Sequence, residues 1–497
     1  MTYFLGIDAS TTATKALLID GGGSVVGVGR SEYSFDTPHP LWSEQSPDLW
    51  WTGTVDAIRS VLATTRVPGH AIGGVGMTGQ MHGLVMLDAS GTALRPAILW
   101  NDQRTQAECD EIRDRIGRDR LLSITGNDAL TGFTAPKILW VKNNEPEVFE
   151  RTEHVLLPKD YVRFRLTNSY AVDRAGGSGT ILFDLAARDW SDEVISTLGL
   201  PRRWFPPSFE GSSVTGVISA AAAATTGLAE GTPVVAGGGD QAANAVGVGA
   251  VTPGVGAMSI GTSGVVFVPT DHAAIEAEGR LHAFCHSVPG MWHLMGVMLS
   301  AAGSYEWFRS ALAPSSSFAD LDARASAIDA GSNGLMFLPY LSGERTPHPD
   351  PFARGAFIGL TVRHDLGHMA RAVLEGVAFG LRDSIELIRQ SSTLDEIRAS
   401  GGGAQSRLWL QIIADTVGLP VRVVGTSEAA AHGAALLAAV GTGAFASIRE
   451  ATDAAVVVGE PIEPGPATGT YTGAYATYRS LYPALRDAFV RLSDLDT

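Results

Sequence analysis

Gly6-Ile7-Asp8-Ala9-Ser10-Thr11-Thr12 and, half a chain later, Ser259-Ile260-Gly261-Thr262-Ser263-Gly264 are two short turns rich in glycine and hydroxyls, each flanked by apolar, β-prone residues. Tyr3 to Ile7 and Ala16 to Ile19 around the first, and Val265 to Val268 after the second, read as hairpin strands. Such turns present backbone N–H groups and hydroxyls outward, an arrangement that holds phosphate oxygens. Gly237-Gly238-Gly239-Asp240 lies between them. Two phosphate loops in two halves, with an aspartate between them, point to a nucleotide clamped in a cleft between two similar domains.

A chain of 497 residues exceeds what one hydrophobic core usually supports. The least structured-looking stretch, Thr252-Pro253-Gly254-Val255-Gly256, puts the boundary nearby, giving domains of residues 1–245 and 246–497. With 45% apolar and 18% charged residues the composition is that of a soluble globular chain. A formal net charge of −16 argues against nucleic acid or an anionic membrane as partner. An anionic nucleotide then has to be met by local N–H groups and a divalent cation. The two cysteines, Cys109 and Cys285, form no disulfide framework, and the N-terminus opens into a strand without a basic leader, so a cytoplasmic protein is expected. Ala429 to Ala446 is too short and too broken by His432 and glycines to span a bilayer and reads as a core helix.

Strands alternate with helices. Ser46-Pro47-Asp48 supplies an N-cap, a proline at the first helical position and an acid in the first turn, after which Trp51, Val55, Ile58 and Leu62 repeat at helical spacing. Gly74 to Met77 and Leu84 to Leu87 read as strands, and Ala220 to Ala224 as a helix end. The halves echo each other: Pro233 to Ala236 leads into a glycine triplet and a helix from Gln241, as Glu396 to Ser400 leads into Gly401-Gly402-Gly403 and a helix bearing Leu408, Ile412 and Ile413. Gly74-Val75-Gly76-Met77-Thr78-Gly79 matches the G-x-G-x-x-G string of dinucleotide-binding folds but runs on into an extended stretch instead of opening a helix. A P-loop is absent. His282, Cys285 and His286 lack a fourth ligand at metal-site spacing.

Taken in order, Gly6 to Thr12, Gly132-Phe133-Thr134-Ala135-Pro136-Lys137-Ile138-Leu139-Trp140, Gly238-Gly239-Asp240, Gly261 to Gly264, Gly355-Ala356-Phe357-Ile358-Gly359-Leu360 and Gly401 to Ala404 resemble the FGGY carbohydrate kinases over nearly the whole chain. The resemblance implies an α/β fold of two actin-, hexokinase- and heat-shock-chaperone-like (ribonuclease H-like) domains with mixed sheets, ATP and sugar sharing the interdomain cleft. Gly79-Gln80-Met81-His82-Gly83, Trp100 to Arg104, Pro158 to Tyr161 and Pro339 to Pro347 are most similar to the branch of that family acting on D-xylulose. Met81 and His82 stand where glycerol kinases carry an Arg-Glu pair, although a gluconate kinase can also carry Met-His.

The expected roles follow. Asp240 orients the sugar hydroxyl and takes its proton; alternatively it caps a helix. Asp8 beside the triphosphate holds Mg²⁺, through water, or is a turn-forming residue. Ser10, Thr11 and Thr12 contact the β- and γ-phosphates, Gly261, Thr262 and Ser263 approach from the second domain, and Gly402, Gly403 and Ala404 let the adenosine lie on backbone. Lys15 is the less favoured phosphate ligand, being read as surface-exposed. Met81 and His82 line the sugar pocket, with Gln241 and Asn101 as weaker contacts. The expected enzyme phosphorylates D-xylulose with ATP and Mg²⁺, closing on its substrates to exclude water. L-xylulose, D-ribulose or gluconate is the nearest alternative acceptor, and an actin-like or chaperone-like ATPase switch the alternative from another class. The oligomeric state stays open, a homodimer included.

Overall fold

Tyr3–Ala9 (β1) and Ala13–Ile19 (β2) form the hairpin that the first turn requires, antiparallel and in register from Phe4↔Ile19 to Ala9↔Thr14. The computed structural model describes every residue except 1, 426, 427, 494, 496 and 497. Val25–Glu32 (β3) continues the hairpin, while Ile72–Gly79 (β4) runs parallel to β1 on its other side. Val214–Val217 (β5), Pro233–Val235 (β6) and the short Gly238–Gly239 (β7) complete a seven-stranded mixed sheet ordered β5-β6-β4-β1-β2-β3, with β7 also pairing β4. Its central strands are nearly continuous apolar runs, as expected of a sheet covered on both faces.

The second half repeats the plan. Gly254–Ile260 (β8) and Gly264–Thr270 (β9) form the second hairpin, Trp292–Met298 (β11) extends it, and His282–Cys285 (β10) lies at its edge. Leu394–Ser400 (β12) runs parallel to β8, and Val421–Val423 (β13) parallel to β12, giving the order β10-β11-β9-β8-β12-β13. By position β12 therefore corresponds to β4, and β13 to β6. That corrects the pairing of Glu396 to Ser400 with Pro233 to Ala236: the glycine triplets resemble each other, but the strands feeding them hold different places in the two sheets. Strand pairing, not turn composition, sets the correspondence.

Pro47–Thr65 (α1) has Ser46 in the cap position and proline in its first turn, but the Ser46 side chain makes no capping bond. Its buried stripe begins one residue earlier than the sequence spacing indicates, with Trp50 buried and Trp51 and Leu62 partly exposed, because Trp50 donates its indole N–H to Gln45 Oε1 at 2.6 Å. Gly74 to Gly79 lie within β4. Ala220–Thr226 is a short helix in its own right, capped by Ser219. Gly254 to Gly256 already belong to β8.

Ala429–Gly441 (α3) comes from the second half of the chain yet packs on the first sheet. Its contacts are backbone on backbone. A Cβ at Gly6 would lie 1.9 Å from the Ala431 carbonyl oxygen, and one at Gly76 1.9 Å from that of Ala434. On another side α3 meets Asp240–Gly247 (α2) through Gly433 and Gly247 in the same way, each with a carbonyl oxygen 1.9 Å from where a Cβ would stand. Gly74 and Gly76 of the dinucleotide-like string are thus a packing surface, while Gly79 abuts Ala9 of β1. His432 in α3 is buried, its Nε2 3.1 Å from the Gly23 carbonyl. No helix among the described residues is long and apolar enough to cross a membrane.

Gly6→Ala and Gly76→Ala are each expected to lower unfolding free energy by about 2–3 kcal/mol or more, since neither backbone can withdraw without breaking ladder or helix hydrogen bonds. Gly473→Ala, in the last helix with nothing within 4 Å of the new methyl, should instead stabilise by about 0.5–1 kcal/mol. Denaturant unfolding of the three variants reads the contrast.

Candidate active site

Three parallel strands end together. Asp8 of β1 is in register with Thr78 of β4, which is in register with Gly238 of β7; Ala9, Gly79 and Gly239 form the next row. The chain leaves this edge as Ser10-Thr11-Thr12, as Gln80-Met81-His82 and as Asp240, so the first hydroxyl turn, the Met81-His82 pair and Asp240 converge on one side of the sheet. Carboxyl ends of strands are where α/β folds place ligands.

The glycines before Asp240 make this approach possible. Gly237 has φ +80, and a Cβ there would overlap the Met77 carbonyl oxygen, while one at Gly239 would stand 2.8 Å from Met81 Cγ and Sδ. Gly239, not Asp240, occupies the cap position of α2, leaving Asp240 in its first turn. Burial, then the like charge of Asp8, raises the Asp240 carboxyl to about 7, against donors from Gln241 that lower it. Gln241 is thus brought to the Asp240 carboxyl. Burial likewise lifts Asp8 to about 6, with Lys15 opposing and Glu428 adding to the rise. Lys15, opposite Asp8 in the hairpin, pairs with Glu428 at 2.5 Å and is only 23% exposed, which corrects the expectation of a surface lysine.

The turn itself is braced from several sides. Ser10 Oγ donates to the Ala13 carbonyl at 2.7 Å, Tyr33 donates to the Ser10 carbonyl at 2.8 Å, and Gln45 Nε2 donates to the Thr11 carbonyl at 2.9 Å. Trp100 donates its indole N–H to Thr11 Oγ1 at 3.0 Å, and Thr12 is exposed. Asp8 Oδ1 is buried without a hydrogen-bond partner among the described residues. A hard, unpaired carboxylate oxygen beside a hydroxyl turn fits a Mg²⁺ ion that keeps most of its water.

Met81 is buried, and His82, at φ +67, is half-buried with Nδ1 2.6 Å from the Gly179 carbonyl. Burial, then the charges of Lys137 and Arg345, lowers His82 to about 3, so the ring is neutral, donates from Nδ1 and keeps Nε2 as an acceptor. Its backbone carbonyl accepts from Thr134 Oγ1 at 3.0 Å and from the buried Lys137 Nζ at 2.9 Å. The chain fixes this histidine from both its main and side chain. Among the described residues no hydrogen bond brings Asn101 into this group: it lines a separate pocket of about 520 Å³ with residues 37–43 and Gln103, its Oδ1 unpaired there.

In the second sheet the corresponding edge carries the other turn. Ser259 and Ser400 are in register, so Gly261 to Ser263 and Gly401 to Gly403 emerge side by side. Thr262, Gly402 and Gly403 line a cavity of about 850 Å³ together with Tyr305, Trp307, Phe318 and Asp322. Gly261, Ser263 and Ala404 are not among its lining residues; Ala404 is buried, its N–H bonded to the Gly401 carbonyl. Sequence reading missed the aromatic wall, which comes from the helix Ala302–Leu312 and the start of the helix Phe318–Ser326 and carries no glycine or hydroxyl signature. It also missed Gln45, Lys137 and Gly179, whose polar contacts brace the first turn and His82.

Residues 3–247 match the N-terminal domain of the FGGY family of carbohydrate kinases, and residues 256–442 its C-terminal domain. The chain belongs to this family. It is 40% identical over 484 residues to a xylulose kinase of Escherichia coli K12, covering 97% of this chain and 99% of that one. With a xylulose kinase of Klebsiella pneumoniae it shares 43% identity over 88% of this chain and 89% of the relative. Among solved structures, the xylulose kinase of Rhodospirillum rubrum superimposes with a TM-score of 0.92 at 33% identity (98% and 99% coverage). A gluconate kinase of Lactobacillus acidophilus gives 0.93 at 26% identity (99% of each chain). The fold is thus the two-domain α/β fold of the sugar kinases.

Asp8 and Asp240 have folded-state pKa values above the ordinary 3.8, so between about pH 4 and 7 the folded chain holds more protons than the unfolded one. The stability they allow is fully present below pH 3.8 and is lost as pH rises through 6 and 7. Asp240→Asn, which cannot ionise, should raise the melting temperature at pH 8, with the gain shrinking to nothing near pH 4. A thermal unfolding series over that range checks the slope, and a gain independent of pH would contradict it.

Proposed function

We propose that this chain transfers the γ-phosphoryl group of ATP to the O5 hydroxyl of D-xylulose, releasing D-xylulose 5-phosphate and ADP. One observation carries the reading: three strand ends deliver the hydroxyl turn, Met81-His82 and Asp240 to a single edge, in a family of kinases whose similar members include xylulose kinases. Asp240 accepts the O5 proton as the O5–P bond forms and the bond from phosphorus to the ADP oxygen breaks. A carboxyl near 7 is divided between its two forms at neutral pH, which suits a group that must take a proton and give it up again. Met81 lies against the carbon skeleton, and the free Nε2 of His82 accepts from a sugar hydroxyl. The Thr11 hydroxyl and the outward N–H groups of the first turn receive the transferred phosphate. Asp8 would hold a Mg²⁺ ion through water, and that ion would supply neutralising charge beside the phosphates.

ATP, the phosphoryl donor of this family, occupies the second-half cavity, with Thr262 at its phosphates, Gly402 and Gly403 under the adenosine, and Trp307 and Phe318 as apolar walls for the base. Residues 1–245, covered by α3, then form the sugar and phosphate domain, and the rest of 246–497 the nucleotide domain. The buried Cys109 and Cys285 thiols, each pushed up to about 12 by burial, suit a cytoplasmic enzyme.

Asp240→Asn is expected to lower kcat about 10²–10⁴-fold with little change in KM for the sugar. Trp307→Ala should raise KM for ATP severalfold and leave KM for the sugar alone. ADP release over D-xylulose, L-xylulose, D-ribulose, gluconate and glycerol decides the acceptor: a preference for gluconate or glycerol would overturn D-xylulose, and sugar-independent hydrolysis would favour the ATPase switch.

A further inference from the structure

A third cavity, of about 490 Å³, lies between the C-terminal part of the helix Leu366–Ile388, the last helix Thr468–Ser493 and the segment 340–348. It shares no lining residue with either site described above. Its volume is that of a small-molecule pocket. Its floor is polar and buried: Tyr340, Asp383, Tyr475 and Tyr478 are each no more than 6% exposed. Tyr475 donates to Asp383 Oδ1 at 2.6 Å, and the Tyr340 and Tyr478 hydroxyls meet at 3.1 Å. Asp383 Oδ2 has no hydrogen-bond partner among the described residues. Burial raises this carboxyl to about 7, so it can donate as well as accept at neutral pH.

One wall is a flat aromatic surface, the His348 ring stacked on Tyr482 at 3.7 Å and 9°. Burial, with the nearby charges of Arg479, Arg280 and Arg486 adding to the effect of burial against that of Asp350, lowers the imidazole to about 4, so this wall is uncharged at neutral pH. The rim carries three arginines and one carboxylate, Glu386. Arg280 is tied to Glu276 at 2.7 Å and to Glu278 at 3.5 Å, while Arg389 donates to the Val417 carbonyl at 3.3 Å and reaches Glu386 only at 3.9 Å. Arg479 has no carboxylate within ion-pair distance among the described residues; its guanidinium sits 5.9 Å from the Tyr475 ring. Vicinal hydroxyls match the floor and a sugar ring or chain lies well on the aromatic wall, whereas a purine would leave the floor groups unpaired. Guanidinium groups at the mouth match a phosphate.

We propose that this cavity binds a small phosphorylated polyol, with its hydroxyls on Asp383 and the Tyr340–Tyr478 pair and its phosphate at Arg479, Arg389 and Arg280. The site is separate from catalysis and does not depend on which sugar the enzyme phosphorylates. The product of the reaction and a sugar phosphate from elsewhere share this chemistry, and affinity separates them.

Calorimetric titration of the full chain with D-glucose 6-phosphate, D-xylulose 5-phosphate, D-glucose and inorganic phosphate tests it. Both sugar phosphates should bind, and the double variant Arg389→Glu/Arg479→Glu, altered only at exposed positions, should weaken D-glucose 6-phosphate at least tenfold with its melting temperature and its kcat unchanged. Asp383→Asn should weaken the sugar phosphates and not inorganic phosphate. Because the product also fits the active site, only binding lost in the double variant counts: a lost component tighter for D-xylulose 5-phosphate than for D-glucose 6-phosphate would make the product the natural occupant, and the reverse a sugar phosphate from elsewhere. No binding of D-glucose 6-phosphate, the same affinity in the double variant, or inorganic phosphate binding as tightly as the sugar phosphates would overturn the proposal.

Discussion

The architecture depends on a helix placed so close to its neighbours that side chains are excluded from the contact. α3 lies on the strands that carry Gly6 and Gly76 and against the helix that begins at Asp240, with glycine on one side of each contact. At this separation two backbones behave as rigid surfaces, because neither a carbonyl in a helix nor a strand in a ladder can move alone. The position of Asp240 relative to Asp8 is therefore set by main-chain geometry. Flexible side chains decide little of it.

That rigidity bears on the electrostatics. Two carboxyls held near each other in a poorly solvated place would ordinarily move apart or pair with cations. Here Lys15 is already engaged by Glu428, and Asp8 Oδ1 is left unpaired, so both groups respond by holding their protons more tightly. The cost is a fold strained towards high pH, and the result is a carboxyl whose affinity for protons matches neutral conditions. A cation arriving beside Asp8 would relieve the repulsion that raises Asp240.

Much of this was legible in the chain. The hairpins, the aspartate after the glycine triplet and the Met81-His82 motif stand where their residue types place them, since turn chemistry and strand patterning are local properties. The glycines in Gly74 to Gly79 showed that some other backbone comes close, but not which one, because α3 is more than 350 residues away in sequence. The two glycine triplets looked equivalent, and only strand pairing assigns them different places. Asn101 lies beside Trp100, whose indole does reach Thr11, yet adjacent residues face different ways. The aromatic wall of the second-half cavity was invisible because tryptophan and phenylalanine on a helix look like core until the tertiary structure leaves them uncovered.

The long sequence separation within the α3 contact also orders events during synthesis. By the time the first sheet has all its strands, the segment that covers its glycine-bearing face has yet to be made, and nearly two hundred further residues must leave the ribosome before it appears. Until then that face stays open to water and to other nascent chains. The amino-terminal half therefore completes its folding only when the carboxyl-terminal half has been translated, and a truncated translation product would carry the strands that end at Asp8, Gly79 and Gly239 without the helix that aligns them.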